Sequence, residues 1–256
     1  MIIREYGNNN SRKLLFFQST GEPWWAFKES VELLAQNYHV FQVAPDGHDP
    51  EEKSDFVSIE KTVADVTAWL KEKRVNCLDA VYGLSMGGGC AMCLIAERKI
   101  RVDKAIVDGG TAPYLYPKWI CKLICVKDFL MVKLAYSNRK IMEAAFPPER
   151  FTQKGHDPIK EYGELMKYLK TYSNKIIWNV FWSANNYVMP EPASIVSTKM
   201  VFWYGEDEAH SRARDLKWAK AYFPDMAAKM IPKMEHGEFV LIYPEAFCQT
   251  AMEFLQ

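Results

Sequence analysis

The chain lacks an excess of charge of either sign. Its 256 residues carry 32 Lys plus Arg against 32 Asp plus Glu, a formal net charge of zero. No basic surplus draws it to nucleic acid, and no acidic tail marks a charged partner. Long hydrophobic runs are missing too: no stretch approaches the roughly 18 uncharged apolar residues that a membrane span requires. The opening residues Met1-Ile2-Ile3-Arg4-Glu5 lack the apolar centre of a signal peptide, so the expected compartment is the cytoplasm. The six cysteines, Cys77, Cys90, Cys93, Cys121, Cys125 and Cys248, sit mostly in apolar contexts and imply no disulfide framework. Cys90-Ala91-Met92-Cys93 has C-x-x-C spacing without a second ligand pair, so buried free thiols are expected rather than zinc. Histidine is scarce, with five in all, which leaves few candidates for acid–base work near neutral pH.

What is present reads as one large domain, or one domain with a sizeable insertion. Apolar runs of strand type occur at 14–17, 38–43, 78–82, 104–108, 199–204 and 227–231. Helical segments are expected at 25–35, 58–73, 90–97, 213–222 and 244–254, the second with Ile59, Val63, Val66 and Leu70 on one face. Alternating strands and helices imply an α/β fold with a mostly parallel central sheet covered by helices on both faces.

The rhythm changes between residues 113 and 197. Helices punctuated by Trp119, Tyr136, Tyr162, Tyr168, Trp178, Trp182 and Tyr187 are divided by breakers at Pro147-Pro148, Gly155 and Pro190-Glu191-Pro192. This block, 113–197, is expected to be a helical cap inserted into a core of 1–112 and 198–256. Lys118, Lys122, Lys127 and Lys133 interleave with apolar residues on its first segment. A lid touching a lipid surface fits that pattern. A helix packed on the core with snorkelling lysines fits it better.

Active residues of a parallel sheet collect at the carboxyl ends of its strands. Ser85 lies there, in Gly83-Leu84-Ser85-Met86-Gly87-Gly88, between an apolar strand and a helix. A bare G-x-S-x-G arises by chance in about one chain in ten of this length, so its strand–turn–helix setting and the residues downstream decide its meaning. Two more strand ends carry chemistry: Gly205-Glu206-Asp207-Glu208 and His236-Gly237-Glu238-Phe239. The order is serine, acid, histidine. Asp108, at the end of another strand, is an outside candidate for the acid. His39 reads as a strand residue, and His156 and His210 as loop residues.

Together with Pro45-Asp46-Gly47-His48, these motifs resemble the α/β-hydrolase family over nearly the whole chain. The resemblance implies a serine hydrolase without cofactor or metal, most often an esterase. On it, Ser85 is the nucleophile of an acyl-enzyme mechanism and His236 the base that takes its proton. The acid that orients the imidazole is placed by the family about three residues after the closing glycine, which prefers Glu208, although Asp207 is the commoner residue type. The oxyanion donors would be the N–H of Met86 and, by position, of Thr20. The family usually has His-Gly in that loop, where this chain has Gln18-Ser19-Thr20-Gly21. The Ser19 and Thr20 hydroxyls would add a donor or cap the next helix. His48 falls in a structural element of the family. Trp24, with Trp25 and the cap aromatics, is expected to line the substrate pocket. The partner is a small-molecule substrate, a carboxylic ester of small to medium size that is largely apolar or aromatic. No nucleic acid and no stable membrane insertion are expected, and a homodimer stays open. C–C, amide or thioester cleavage and lyase chemistry suit the same residues, and a non-catalytic ligand-binding protein of this fold is the rival from another class.

Overall fold

In a computed structural model, which describes residues 1–190 and 196–256, the six apolar runs and one further strand form a seven-stranded sheet. In chain order the strands are β1 (Ile2–Tyr6), β2 (Lys13–Phe17), β3 (His39–Ala44), β4 (Cys77–Leu84), β5 (Arg101–Asp108), β6 (Lys199–Gly205) and β7 (Ala227–Ile231). They lie in the order β1-β3-β2-β4-β5-β6-β7. β1 runs antiparallel to β3, and the other pairings are parallel.

Strand alternation splits the core into two layers. Leu15, Phe17, Val81, Val107 and Phe202 face one side, and Leu14, Phe16, Tyr82, Ile106 and Trp203 the other. Both layers are fully covered, which is why β2 reads as an unbroken apolar run rather than an alternating one. On the first side lie α2 (Ile59–Glu72), α3 (Met86–Glu97) and α8 (Ala209–Tyr222). On the second lie α1 (Lys28–Leu34) and α10 (Pro244–Leu255). The expected face of α2 is buried, and Ser58 caps that helix by accepting from Lys61 N–H at 3.2 Å. Residues Met86 to Ala96 of α3 are all buried. Burial pushes the Cys93 thiol up to about 12, so it stays protonated.

The expected helix at 25–35 divides in two. Pro23 starts a 3-10 turn at Trp24–Phe27, and α1 comes directly after it. β1 was not expected from the sequence: all five of its residues are half-buried, and Arg4 and Glu5 interrupt its apolar character. A five-residue helix, α9 (Glu238–Ile242), was not expected either.

Between β5 and β6 the chain forms α4 (Lys118–Ser137), α5 (Arg139–Ala145), α6 (Pro158–Leu169) and α7 (Asn174–Asn186). Asn138, Asp157 and Ser173 cap the last three through their side chains. The breakers Pro147-Pro148 and Gly155 fall between α5 and α6. Glu191 and Pro192 of the third breaker lie outside the described residues. α4 corrects an expectation. It packs along α7, but of its twenty residues only Cys121 and Cys125 are buried. The helix gives one edge to the protein and leaves an apolar face in solvent.

Candidate active site

Ser85 sits between β4 and α3 with φ 55° and ψ −116°. A non-glycine residue in that region is strained and persists only where its surroundings hold it. Its N–H donates to the Asp108 carbonyl at 2.8 Å, and its carbonyl accepts from Gly88 N–H at 2.9 Å and Thr111 N–H at 3.1 Å. Gly87 permits the next step. A Cβ there would stand 2.5 Å from the Phe17 carbonyl oxygen, so only glycine lets α3 start hard against the end of β2. Met86 opens α3, and its N–H has no carbonyl four residues back to bind.

The loop after β6 gives its three carboxylates different partners. Glu208 Oε2 accepts from His236 Nδ1 at 2.8 Å, and Oε1 accepts from Gly205 N–H at 3.0 Å. Arg212, one turn into α8, lies 2.9 Å from Oε2. Burial pushes the Glu208 carboxyl up, but the His236 hydrogen bond and charge, the Gly205 N–H and Arg212 outweigh it, and its pKa is lowered. Asp207 pairs instead with Arg150 at 2.6 Å, and Glu206 accepts from Lys233 N–H at 2.9 Å. Because a carboxylate can only accept, His236 Nδ1 carries the proton of that bond.

Ser85 and His236 are each set against the Asp108–Gly109 segment. Asp108 holds the Ser85 N–H, while a Cβ on Gly109 would fall 2.6 Å from His236 Cε1. Gly237 likewise abuts Leu84, at 3.2 Å from where its Cβ would be. The Asp108 carboxyl takes no part in the bond to His236. It accepts from Tyr82 O–H at 2.8 Å, and burial pushes it up to about 6.

The loop after β2 is held from several sides. Thr20 O–H donates to His48 Nε2 at 2.9 Å, and His48 Nδ1–H donates to the Asp46 carbonyl at 3.0 Å. Burial lowers the His48 pKa to about 4, which keeps the ring neutral and able to accept. Gly21 N–H donates to Tyr172 O at 3.3 Å, Tyr172 bonds Tyr168 at 2.9 Å, and Tyr168 O–H donates to the His48 carbonyl at 3.1 Å. Ser19 O–H donates to Glu22, whose carboxyl is raised chiefly by burial and opposed by Ser19 and the His236 charge. Neither hydroxyl caps the adjoining 3-10 turn. Gln18 is fully buried, and neither atom of its amide is hydrogen-bonded.

The remaining candidates are scattered. Trp24 lies under the Arg4 guanidinium at 4.0 Å and edge-on to Trp25, on the β1 side of the loop. Trp25 faces Tyr168. Tyr187 O–H donates to the Thr111 carbonyl at 2.8 Å, Tyr162 O–H to the Phe146 carbonyl, and Trp178 stacks on Trp182. Trp119 is exposed. His39 bonds Glu5 and His156 bonds Glu161, whereas His210 lies in α8 rather than in a loop. Sequence reasoning missed Glu22, Tyr172, Arg150 and Arg212. Only Arg212 left a readable signal, four residues after Glu208 on the same helix.

A parallel sheet with one antiparallel edge, a strained serine between β4 and α3, and a histidine and acid after β7 and β6 define the α/β-hydrolase fold. No family model matches the chain, and no curated protein matches it in sequence. Solved structures do. A Desulfitobacterium hafniense protein assigned to the alpha/beta hydrolase family has a TM-score of 0.76 at 19% identity, with 100% of both chains covered. A carboxylesterase structure from the Thaumarchaeon Nitrososphaera gargenis has a TM-score of 0.73 at 15% identity, covering 99% of this chain and 93% of that one. MenH from S. aureus has a TM-score of 0.73 at 14% identity, covering 99% and 97%. Among the described residues, no helix is long and apolar enough to cross a membrane.

Proposed function

We propose that the protein is a serine hydrolase that cleaves a carboxylic ester through an acyl-enzyme. Ser85 Oγ attacks the ester carbonyl carbon as its proton passes to His236 Nε2. The negative charge on the former carbonyl oxygen is held by the N–H groups of Met86 and Thr20. The intermediate collapses, and His236 gives the proton to the departing alcohol. Water then repeats the sequence on the acyl-enzyme and frees the acid. Glu208 stays ionised throughout, fixes the Nδ1–H tautomer and offsets the charge on the imidazolium. Residues 113–197 act as a cap, since Tyr172 and Arg150 from that block bond the loops after β2 and β6. The substrate is small to medium-sized and apolar or aromatic, in keeping with Tyr136, Tyr168 and Tyr172 grouped over Gly21.

One observation carries the reading: the His236–Glu208 bond of 2.8 Å, set against the Gly109 link that also holds the strained Ser85. The test is labelling by a fluorophosphonate. Wild type is expected to react and Ser85→Ala to stay unlabelled and inactive on every ester tried. Equal labelling of the two proteins would end the proposal. A second reading, a ligand-binding protein without turnover, is favoured by the unpaired Gln18 amide beside the proposed oxyanion loop. That reading expects an unlabelled wild type.

A further inference from the structure

The face that α4 turns to solvent is unusual for a chain with no net charge. Trp119 is 66% exposed, Leu123 61%, Leu130 60% and Leu134 54%. Trp119, Leu123, Val126, Leu130 and Leu134 recur at i, i+4, i+7, i+11 and i+15, so at about 100° per residue they share an arc of roughly 80°. Lys122 and Lys133 border that arc on one side and Lys127 on the other. The helix holds four lysines against a single acid, Asp128, which Lys127 contacts at 3.1 Å. Exposed Lys140 follows in α5, beside Arg139, which pairs with Glu143 at 2.6 Å. The opposite face is committed: Cys121 and Cys125 are buried, and Phe129 packs against Trp178 of α7.

We infer that α4 docks on an anionic lipid surface, lying in its plane. An apolar stripe edged by lysines on both sides buries its centre among acyl chains while the ammonium groups reach back to phosphates. The charge distribution selects this occupant over a second copy of the chain. Pairing two α4 faces would set one positive margin against another, whereas anionic headgroups neutralise both. Docking also orients the molecule. The inner end of α4 carries Tyr136, whose hydroxyl lies 3.1 Å from where a Cβ on Gly21 would stand, in the loop beside Ser85. A docked protein therefore presents that loop region close to the bilayer. That lipid-derived esters are its substrates rests on the proposed hydrolase reading; the docking itself does not.

Sedimentation with vesicles tests it. The full chain is expected to bind phosphatidylcholine vesicles containing 30% phosphatidylglycerol at least tenfold better than pure phosphatidylcholine, and to lose that margin in high salt. Lys122→Gln and Lys133→Gln should each lower binding about fivefold. Leu123→Glu with Leu130→Glu should abolish it while circular dichroism and fluorophosphonate labelling stay at wild-type levels. The proposal is overturned if anionic vesicles bind no better than neutral ones, or if the double variant binds as wild type does. It is equally overturned if ultracentrifugation shows a dimer that the double variant dissolves, because the face then belongs to a second copy. A failed labelling experiment with intact vesicle binding would sink the hydrolase reading and leave the docking standing.

Discussion

At Gly109 one hydrogen in place of a methyl decides whether His236 fits beside Ser85. Its φ is +52°, and a Cβ would sit 2.6 Å and 2.7 Å from two atoms of the imidazole. Gly109→Ala adds backbone strain of about 1 kcal/mol and pushes the ring aside. A displacement near 1 Å is expected to lower kcat about 100-fold. Activity within twofold of wild type would show that the ring is not held there. The acid is tested beside it. Glu208→Gln loses the charge and the tautomer control, and a fall of about 10³–10⁴ in kcat is expected. Asp207→Asn should cost less than tenfold, because its partner is Arg150 rather than the histidine. Steady-state kinetics on one ester compares all three. The sequence left Asp207 and Glu208 adjacent and of like charge, so the preference for Glu208 rested on the position that the family resemblance implies. What separates them is a cation 57 residues earlier in the chain, which no local pattern reveals.

At the scale of elements, the chain between α5 and α6 ties together the loops that follow β6 and β7. Arg150 Nε donates to Glu238 at 2.9 Å, and its Nη2 donates to Asp207 at 2.6 Å and to the Lys233 carbonyl at 3.3 Å. Glu238 is buried and also accepts from Glu235 N–H at 2.7 Å, while Gln153 donates to the Leu241 carbonyl. The loop holding Glu208 and the loop holding His236 are thus fastened by one side chain from outside the sheet. Arg150→Ala would leave Glu238 buried without its cation, an expected loss of about 1–3 kcal/mol of stability. Because the two loops then separate more freely, kcat is expected to drop about tenfold with KM little changed, and Arg150→Lys to recover only part, lacking the two-pronged geometry. A variant that raised KM alone would assign Arg150 to substrate binding instead. Elements were legible where their periodicity was strong: the buried face of α2 and the apolar run of β2 match the structure. β1 was not, since an edge strand pairs through its backbone and needs no apolar run. The exposed face of α4 was misjudged for a related reason. A stripe of leucines has the same spacing whether protein, lipid or water covers it.

For the molecule as a whole, two buried groups pull stability in opposite directions as the pH falls. His48, with its pKa lowered to about 4, stays neutral when folded and takes a proton more readily when unfolded. Its effect is therefore a loss of about 3 kcal/mol that builds as pH drops from about 6.5 to about 4. Asp108, raised to about 6, is harder to ionise when folded. It destabilises the fold by about 3 kcal/mol above pH 6, and that burden is relieved as pH drops from about 6 to about 4. Over this window the two nearly cancel. Asp108→Asn removes one of them while its side-chain oxygen still accepts from Tyr82. The variant is expected to be more stable than wild type at pH 7.5, by up to about 3 kcal/mol, and to converge on it near pH 4. Urea midpoints at pH 4.5, 6 and 7.5 measure the difference, in which the remaining carboxylates cancel. Parallel curves for the two proteins would mean that Asp108 titrates alike in the folded and unfolded chain. A variant less stable than wild type at pH 7.5, with the deficit closing on acidification, would mean that its folded pKa is depressed. The expected result, an excess of stability at pH 7.5 that closes on acidification, would make the Asp108 carboxyl a net burden on the fold at neutral pH. Such a burden fits a buried carboxyl that the Glu208 charge opposes and that the Tyr82 hydrogen bond and the His236 charge only partly offset.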